Sequence, residues 1–181
     1  MSKDKSIRID EFDMLCDFHD KNNLIRSNEN LYDWLLNGGF FTAPASTKYH
    51  GNYEGGLFDH SLAVADTLIE LTKHNDLKWQ RPESPLIIGL FHDLCKCDQY
   101  QLLDGQYVYN DNLLLRGHGD KSVMILSRFM TLTEEEVLCI RYHMGAYIQE
   151  DHQGFDLAIK KYTGVLWTHH ADMIASKVIG T

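Results

Sequence analysis

The pair His92-Asp93 stands directly behind an apolar run that includes Leu86, Ile87 and Ile88. A fold that buries this run must take an imidazole and a carboxylate into its interior with it. Burying both groups costs free energy unless each finds a partner. A divalent metal ion would satisfy both, so the pair restricts the chain to folds that can build a metal site around it.

Length and composition limit the class of protein. With 181 residues, 44% of them hydrophobic, the chain can bury the core of a single domain. No apolar stretch is long enough to cross a membrane, and Met1–Lys5 is not followed by the apolar segment of an export signal. We therefore expect a cytoplasmic protein with no membrane partner.

Cysteine usage and charge narrow the field further. The four cysteines lack CxxC spacing, which favours reduced thiols over a structural zinc site or disulfides. The net charge is −9, and no run is rich in lysine or arginine. This balance argues against tight binding of long nucleic acid.

Apolar periodicity and capping signals predict an all-α bundle with one small β-hairpin near residues 100–109. No linker divides the sequence, so we predict one domain over 1–181, with a core of about 44–178 and an N-terminal helical extension of 1–43. The hairpin would turn at Asp104-Gly105. The predicted helices cover 31–36, 57–74, a segment from Ser84 that carries His92 and Asp93, 119–130, 134–144 and 165–179.

Isolated histidines and one aspartate lie on these helices. The number of residues between successive members is enough for one helix and the loop that leads to the next. Successive helices of a bundle could therefore each deliver one ligand to a shared interior site. Four imidazoles and two carboxylates suit Mn, Fe, Ni or Zn better than calcium. For any one histidine at a helix end, a surface or capping role is the competing interpretation. The set is His60, His92, Asp93, His118, His143 and Asp172.

Five motifs follow one another in the sequence. They are Pro44–Ser46 with His50 and Tyr53–Leu62, then Phe91–Lys96, Leu114–His118, Arg141–Gly145 and His169–Asp172. In this order they resemble the HD-domain metal-dependent phosphohydrolase superfamily, whose signature is H…HD…D. The pattern is most similar to the HD domain of bacterial 3′-to-5′ exoribonucleases, without their nucleic-acid-binding domain. Cys95 departs from the family, which often has glycine there.

The resemblance implies a helical HD domain with two ions. One ion would be held by His60, His92, Asp93 and Asp172, and the second by His118 and His143 together with Asp93, whose carboxylate can bridge. It implies hydrolysis of a phosphoester, in a nucleotide or short oligonucleotide, by a metal-activated hydroxide.

Further residues are candidates for substrate contacts. Asp93 and Lys96 are the predicted catalytic residues, and Lys96, placed on the helix face of His92 and Asp93, is the first candidate to hold a phosphate oxygen. A solvent-facing role for Lys96 is the competing interpretation. Arg116, Lys121 and Arg141 are weaker phosphate candidates, and His50 and His169 could orient ligands or donate a proton. Tyr100, Tyr107 and Tyr109 of the hairpin could wall the pocket and stack a base, or pack across the strands.

Two other function classes stay open from the sequence. Some HD-fold proteins with the same ligand set are diiron oxygenases that act on small molecules. A binding module that senses a nucleotide without catalysis is the third possibility, although six intact ligands argue against it. The sequence predicts no oligomeric state.

Overall fold

The computed structural model describes residues 3–147 and 151–181; Met1, Ser2 and 148–150, which the predicted domain includes, lie outside the described residues. An all-α architecture with one antiparallel hairpin is confirmed. Within the described ranges the helices are α1 (Lys5–His19), α2 (Glu29–Asn37), α3 (Gly56–Asn75), α4 (Ser84–Phe91), α5 (Gly119–Leu126), α6 (Glu134–Tyr142), α7 (His152–Lys161) and α8 (Gly164–Ile174). The strands are β1 (Tyr100–Leu103) and β2 (Gln106–Tyr109). No described helix is long and apolar enough to cross a membrane.

Helices α3 and α4 form the centre of the bundle. They pack against each other, α8 packs against α3 and α6, and α5 packs against α6. Gly89 permits the close approach of α4 to α3, because a β-carbon there would lie 2.3 Å from the α-carbon of Ala65. This contact brings the end of α4 beside the first turn of α3, where the candidate ligands begin.

The N-terminal helices pack onto the same core. Phe12 of α1 and Leu31 of α2 belong to one buried cluster with Phe58 and Phe91. The segment predicted as an extension therefore shares its apolar contacts with the rest of the bundle.

Helices α4 and α6 end earlier than the sequence predicts, and at each end a histidine side chain bonds to a carbonyl of the last turn. The expectation that one helix carries both His92 and Asp93 is wrong, because α4 ends at Phe91 and His92 is its C-cap. Likewise α6 ends at Tyr142, with His143 as its C-cap. Each of these histidines turns its Nδ1 back to the carbonyl three residues earlier, which satisfies a carbonyl group at the helix end.

The other corrections concern pitch and length. Lys96 does not continue α4, since it lies in a separate 3₁₀ turn, Leu94–Cys97. Helix α5 ends at Leu126 instead of residue 130, and α8 ends at Ile174 and continues as a π-helical turn, Ala175–Ile179. The spacing of apolar residues does not reveal where a helix ends or changes type, because neighbouring turns of different pitch bury similar positions.

The hairpin forms where it is expected. Tyr100 lies opposite Tyr109 in the register of the two strands. Asp104 and Gly105 both have positive φ, 51° and 77°, as a type I′ turn requires. Helix α7, which was not predicted, begins after Asp151. The carboxylate of Asp151 accepts a hydrogen bond from the Gly154 amide and so caps the start of this helix.

Candidate metal centre

All six predicted ligands lie in one cluster in the interior of the bundle. His60 comes from the first turn of α3, His118 is the residue before α5, and Asp172 lies within α8. His92, Asp93 and His143 follow directly on the ends of α4 and α6. Helix ends therefore supply most of the set, and the packing of α3, α4, α6 and α8 brings them together.

Asp93 stands at the centre, and its two oxygens face different histidines. Oδ2 lies 3.7 Å from Nε2 of His60 and 3.4 Å from Nε2 of His92. Oδ1 lies 3.3 Å from Nε2 of His118 and 3.5 Å from Nε2 of His143. Asp172 borders the first side, with its Oδ1 3.2 Å from Nε2 of His60. The carboxylate of Asp93 thus separates the cluster into two sides.

Backbone carbonyls fix three of the four imidazoles. Nδ1 of His92 donates to the Gly89 carbonyl at 2.9 Å, and Nδ1 of His143 donates to the Ile140 carbonyl at 2.7 Å. Nδ1 of His60 donates to the main-chain oxygen of Thr181 at 3.0 Å. These oxygens can only accept, so Nδ1 must carry the proton in each ring. In the neutral imidazole Nε2 then presents a lone pair, as a metal ligand does.

The centre contains buried polar atoms that no protein group satisfies. Within the described residues, Nε2 of His60, Nε2 of His92 and Oδ1 of Asp93 are buried without a hydrogen-bond partner. Unsatisfied buried polar groups are rare because each costs free energy. All three atoms are acceptors, and one or two cations between them would satisfy them. The residues therefore fit a transition metal with nitrogen and oxygen ligands.

Three overlapping groups have ligand atoms within 4.8 Å of one another. They are His60, His92 and Asp172; His92, Asp93 and His143; and Asp93, Cys95 and His118. In the last group, Nδ1 of His118 lies 3.1 Å from the Cys95 sulfur, in place of the carbonyl that the other histidines use. Burial lowers the pKa of His118 to about 3, so the ring is neutral at pH 7 and able to bind a metal. Burial also raises the pKa of Cys95 to about 12, which keeps it a thiol.

Lys96 compensates part of the negative charge. Its Nζ lies 2.6 Å from Oδ2 of Asp93. Burial by itself lowers the pKa of Lys96, but the Asp93 carboxylate outweighs burial and raises it above its ordinary value. Burial raises the pKa of Asp93, but Lys96 and the nearby imidazoles outweigh it and hold that pKa well below its usual range. Both groups are therefore charged at neutral pH.

A cavity of about 470 Å³ opens onto the cluster. Asp93, Lys96, His118 and Asp172 form its polar floor, and four tyrosines contribute to its walls: Tyr49, Tyr100, Tyr109 and Tyr147. Tyr100 and Tyr109 also pack against each other with ring centroids 5.2 Å apart, so the two interpretations of the hairpin tyrosines are compatible. Tyr107 lines a separate cavity beside the hairpin.

Two further histidines line the cavity. The His50 ring lies 4.9 Å from the His60 ring, and its buried Nδ1 has no hydrogen-bond partner among the described residues. Nδ1 of His169 donates to the carbonyl of His143 at 2.8 Å. Gly145 allows this approach, since a β-carbon on it would lie 2.5 Å from Nδ1 of His169.

Three predicted phosphate contacts lie elsewhere. Arg116 and Lys121 line a smaller neighbouring cavity of about 260 Å³. Lys121 is paired there with Asp98. Arg141 is exposed and lies 3.2 Å from Asp120. The structure does not bring these cations to the described lining of the central cavity, whereas Lys96 reaches it.

Sequence reasoning missed contacts that carry no residue-type signal. The main-chain oxygens of Gly89, Ile140 and Thr181 orient the candidate ligands, yet every residue has a main-chain oxygen. Tyr49 and Lys177 line the cavity, and Lys177 lies over the Tyr49 ring at 6.0 Å. Lys177 lies beyond the last motif, which ends at Asp172, so no pattern in the sequence pointed to it.

Comparison with known proteins gives one match. A family model described as HD domain matches residues 57–174, a span that begins just before His60 and ends just after Asp172. No curated protein and no solved structure matches the chain.

Proposed function

The chain belongs to the HD domain family, and from that premise we propose that it is a phosphohydrolase that cleaves a phosphoester in a nucleotide or short oligonucleotide at a two-metal site. The family is generally one of metal-dependent phosphohydrolases. One observation carries the proposal: Nε2 of His60, Nε2 of His92 and Oδ1 of Asp93 are buried acceptors that converge without partners. The motif resemblance to exoribonuclease HD domains favours a nucleotide substrate, in a cytoplasmic single-domain protein.

The two sides of Asp93 support two ion positions. His60, His92 and Asp172 would hold the first ion with Oδ2 of Asp93. His118 and His143 would hold the second with Oδ1. A single carboxylate with one oxygen on each side suits a bridging ligand. Mn, Fe, Ni and Zn are the candidate ions for this donor set.

When bound, divalent ions lower the pKa of water and polarise a phosphoryl oxygen. The protein residues hold and orient the substrate. Lys96 is charged and lines the cavity beside Asp93, where its ammonium can hold a non-bridging phosphate oxygen. His169 is fixed through Nδ1 to the His143 carbonyl, so its Nε2 is the nitrogen free for the substrate side. We propose that His169 and His50 act on the leaving group of the phosphoester, as orienting groups or as proton donors.

The cavity supports a substrate of nucleotide size. Its volume of about 470 Å³ lies within the usual range of small-molecule sites. Lys96 gives it a cation for a phosphate, and the tyrosine walls offer aromatic surface for a base. The net charge of −9 disfavours long nucleic acid, which is consistent with a small substrate.

The test couples metal analysis to a substrate screen. The purified protein is stripped with a chelator, reloaded with Mn, Fe, Ni or Zn, and analysed for bound metal. The loaded forms are then given nucleotides and short oligonucleotides, and phosphoester cleavage is followed. We expect about two ions per chain and cleavage of at least one of these esters. His60→Ala should weaken or remove the ion at His60, His92 and Asp172. His74→Ala, which changes an exposed histidine in the last turn of the same helix, is the matched control and should bind metal as wild type does.

Three results would overturn the proposal. Wild-type protein that binds no transition metal would remove its basis. Iron-loaded protein that consumes oxygen with a small organic substrate and cleaves no phosphoester would instead establish a diiron oxygenase. Nucleotide binding without turnover in every metal form would establish a sensor.

A further inference from the structure

His60 differs from the other carbonyl-bound histidines in where its partner comes from. His92 and His143 follow the ends of their helices, so a carbonyl three residues earlier is available to each. His60 lies in the first turn of α3, where the carbonyls of the helix are engaged by later amides. Its Nδ1 donates a hydrogen bond instead to the main-chain oxygen of Thr181, which is 121 residues away in sequence.

A specific backbone path brings Thr181 to His60. After α8 the chain continues through the π-helical turn Ala175–Ile179 and reverses at Gly180, which has a φ of 86°. The amides of Gly180 and Thr181 both donate to the carbonyl of Ala175, at 2.9 and 3.2 Å. Ala175 is fully buried, so this closed turn is anchored to the core.

The main-chain oxygen of Thr181 determines which nitrogen of His60 faces the cluster as an acceptor. Nε2 of His60 lies 3.2 Å from Oδ1 of Asp172. If the proton moved to Nε2, the ring would donate to that carboxylate, and two metal ligands would be occupied with each other. The bond from Nδ1 to Thr181 holds the proton on the opposite side and leaves Nε2 available.

We propose that the main-chain oxygen of Thr181 is a positioning group for His60, and that the 175–181 turn thereby sets the affinity of the ion at His60, His92 and Asp172. The inference rests on the metal binding proposed above. The turn should affect the ion at His60, His92 and Asp172 alone. It should not affect the ion at His118 and His143, because the turn does not contact these two rings in the described structure.

Deletion of Gly180 and Thr181 removes the main-chain oxygen that accepts from His60, together with the end of the turn that places it. Loss of such an orienting partner weakens metal binding about 10- to 100-fold. We therefore expect a chelator-competition titration with Zn²⁺ to show one binding step weakened by that factor and the other unchanged. NMR of the His60 ring nitrogens should find the proton on Nδ1 in wild type and lose that signature in the deletion variant.

Matched variants separate the loss of the Thr181 main-chain oxygen from general backbone strain. Thr181→Ala keeps that oxygen and should bind metal as wild type does. Gly180→Val and Gly105→Val both place a β-branched residue at positive φ, and neither position has a neighbour within 4 Å of its β-carbon. Of these two variants, only Gly180→Val should weaken the binding of the ion at His60, His92 and Asp172. The unfolding midpoint of the metal-free proteins reports any general loss of stability.

The outcomes distinguish this inference from the function on which it rests. Wild-type protein without bound metal would contradict the proposed function. Metal-binding wild type together with a deletion variant of equal affinity, or a Gly105→Val variant weakened as much as Gly180→Val, would overturn the role of Thr181 alone.

Discussion

Asp59 and His60 are neighbours in α3, yet they belong to two buried polar sites of different kinds. Asp59 is paired with Arg8 of α1, with Nε to Oδ1 and Nη2 to Oδ2 both at 3.0 Å. Both carboxylate oxygens are satisfied by one planar guanidinium. Nε2 of His60 is equally buried and has no hydrogen-bond partner in the described structure. The first site is complete within the protein, whereas the second would be completed by a bound cation.

The contrast teaches how to separate structural from functional burial of charge. A completed ion pair holds two elements together, and removing one partner leaves a buried charge unpaired. An incomplete cluster of acceptors costs stability until a cation binds, and binding then stabilises the folded state. Substitutions in the two sites should therefore affect different measurements, namely stability at Arg8–Asp59 and metal content at the cluster.

The largest effect is expected at Asp93, the residue common to both ion positions. Asp93→Ala should remove both ions and abolish phosphoester cleavage, because each position loses its shared carboxylate. Helical circular dichroism should remain. Metal analysis and the cleavage assay check the prediction, with Asp120→Ala as the control carboxylate, since Asp120 is exposed beside Arg141. A variant that keeps both ions would refute the central place of Asp93.

The opposite pattern is expected at Arg8. Arg8→Ala leaves Asp59 buried without its guanidinium partner and should lower the free energy of unfolding by about 3–5 kcal/mol. Chemical denaturation measures this change. The folded fraction should still bind both ions, because Arg8 contacts no ligand of the cluster in the described structure. Loss of metal at unchanged stability would mean that the two sites are not separate.

His143 and His118 test whether the cluster itself has two parts. His143→Ala and His118→Ala should each lower the stoichiometry from about two ions to one, since both rings face Oδ1 of Asp93. Elemental analysis after gel filtration provides the count. Retention of two ions would falsify the second position, and loss of both would show that the ions bind as a unit.

The same two sites show how much the sequence could predict. The six proposed ligands, which the structure brings together, follow from motifs, because metal ligation needs particular residue types at helix-length spacing. The Arg8–Asp59 pair was not predicted, since it joins residues 51 apart that have no local pattern. The carbonyl partners of His60 and His92 were equally unpredictable, because they depend on where a helix stops and where the chain returns. Helix existence followed from periodicity, whereas helix ends depended on these side-chain to backbone bonds.

The smallest effect is expected at Lys96, which has features of both sites: it is part of an ion pair, and it lies beside the incomplete cluster. Its ammonium is paired with Asp93, as in a structural ion pair, yet it also lines the central cavity. A charged hydrogen bond of about 1.5–3 kcal/mol to a phosphate corresponds to about 10- to 150-fold in kcat/KM. Lys96→Gln should reduce kcat/KM by that factor while both ions stay bound. Arg116→Gln, on the neighbouring cavity, is the control and should change kcat/KM little. If Lys96→Gln lowered stability alone and left kcat/KM unchanged, Lys96 would belong with Arg8 as a structural partner of a buried carboxylate.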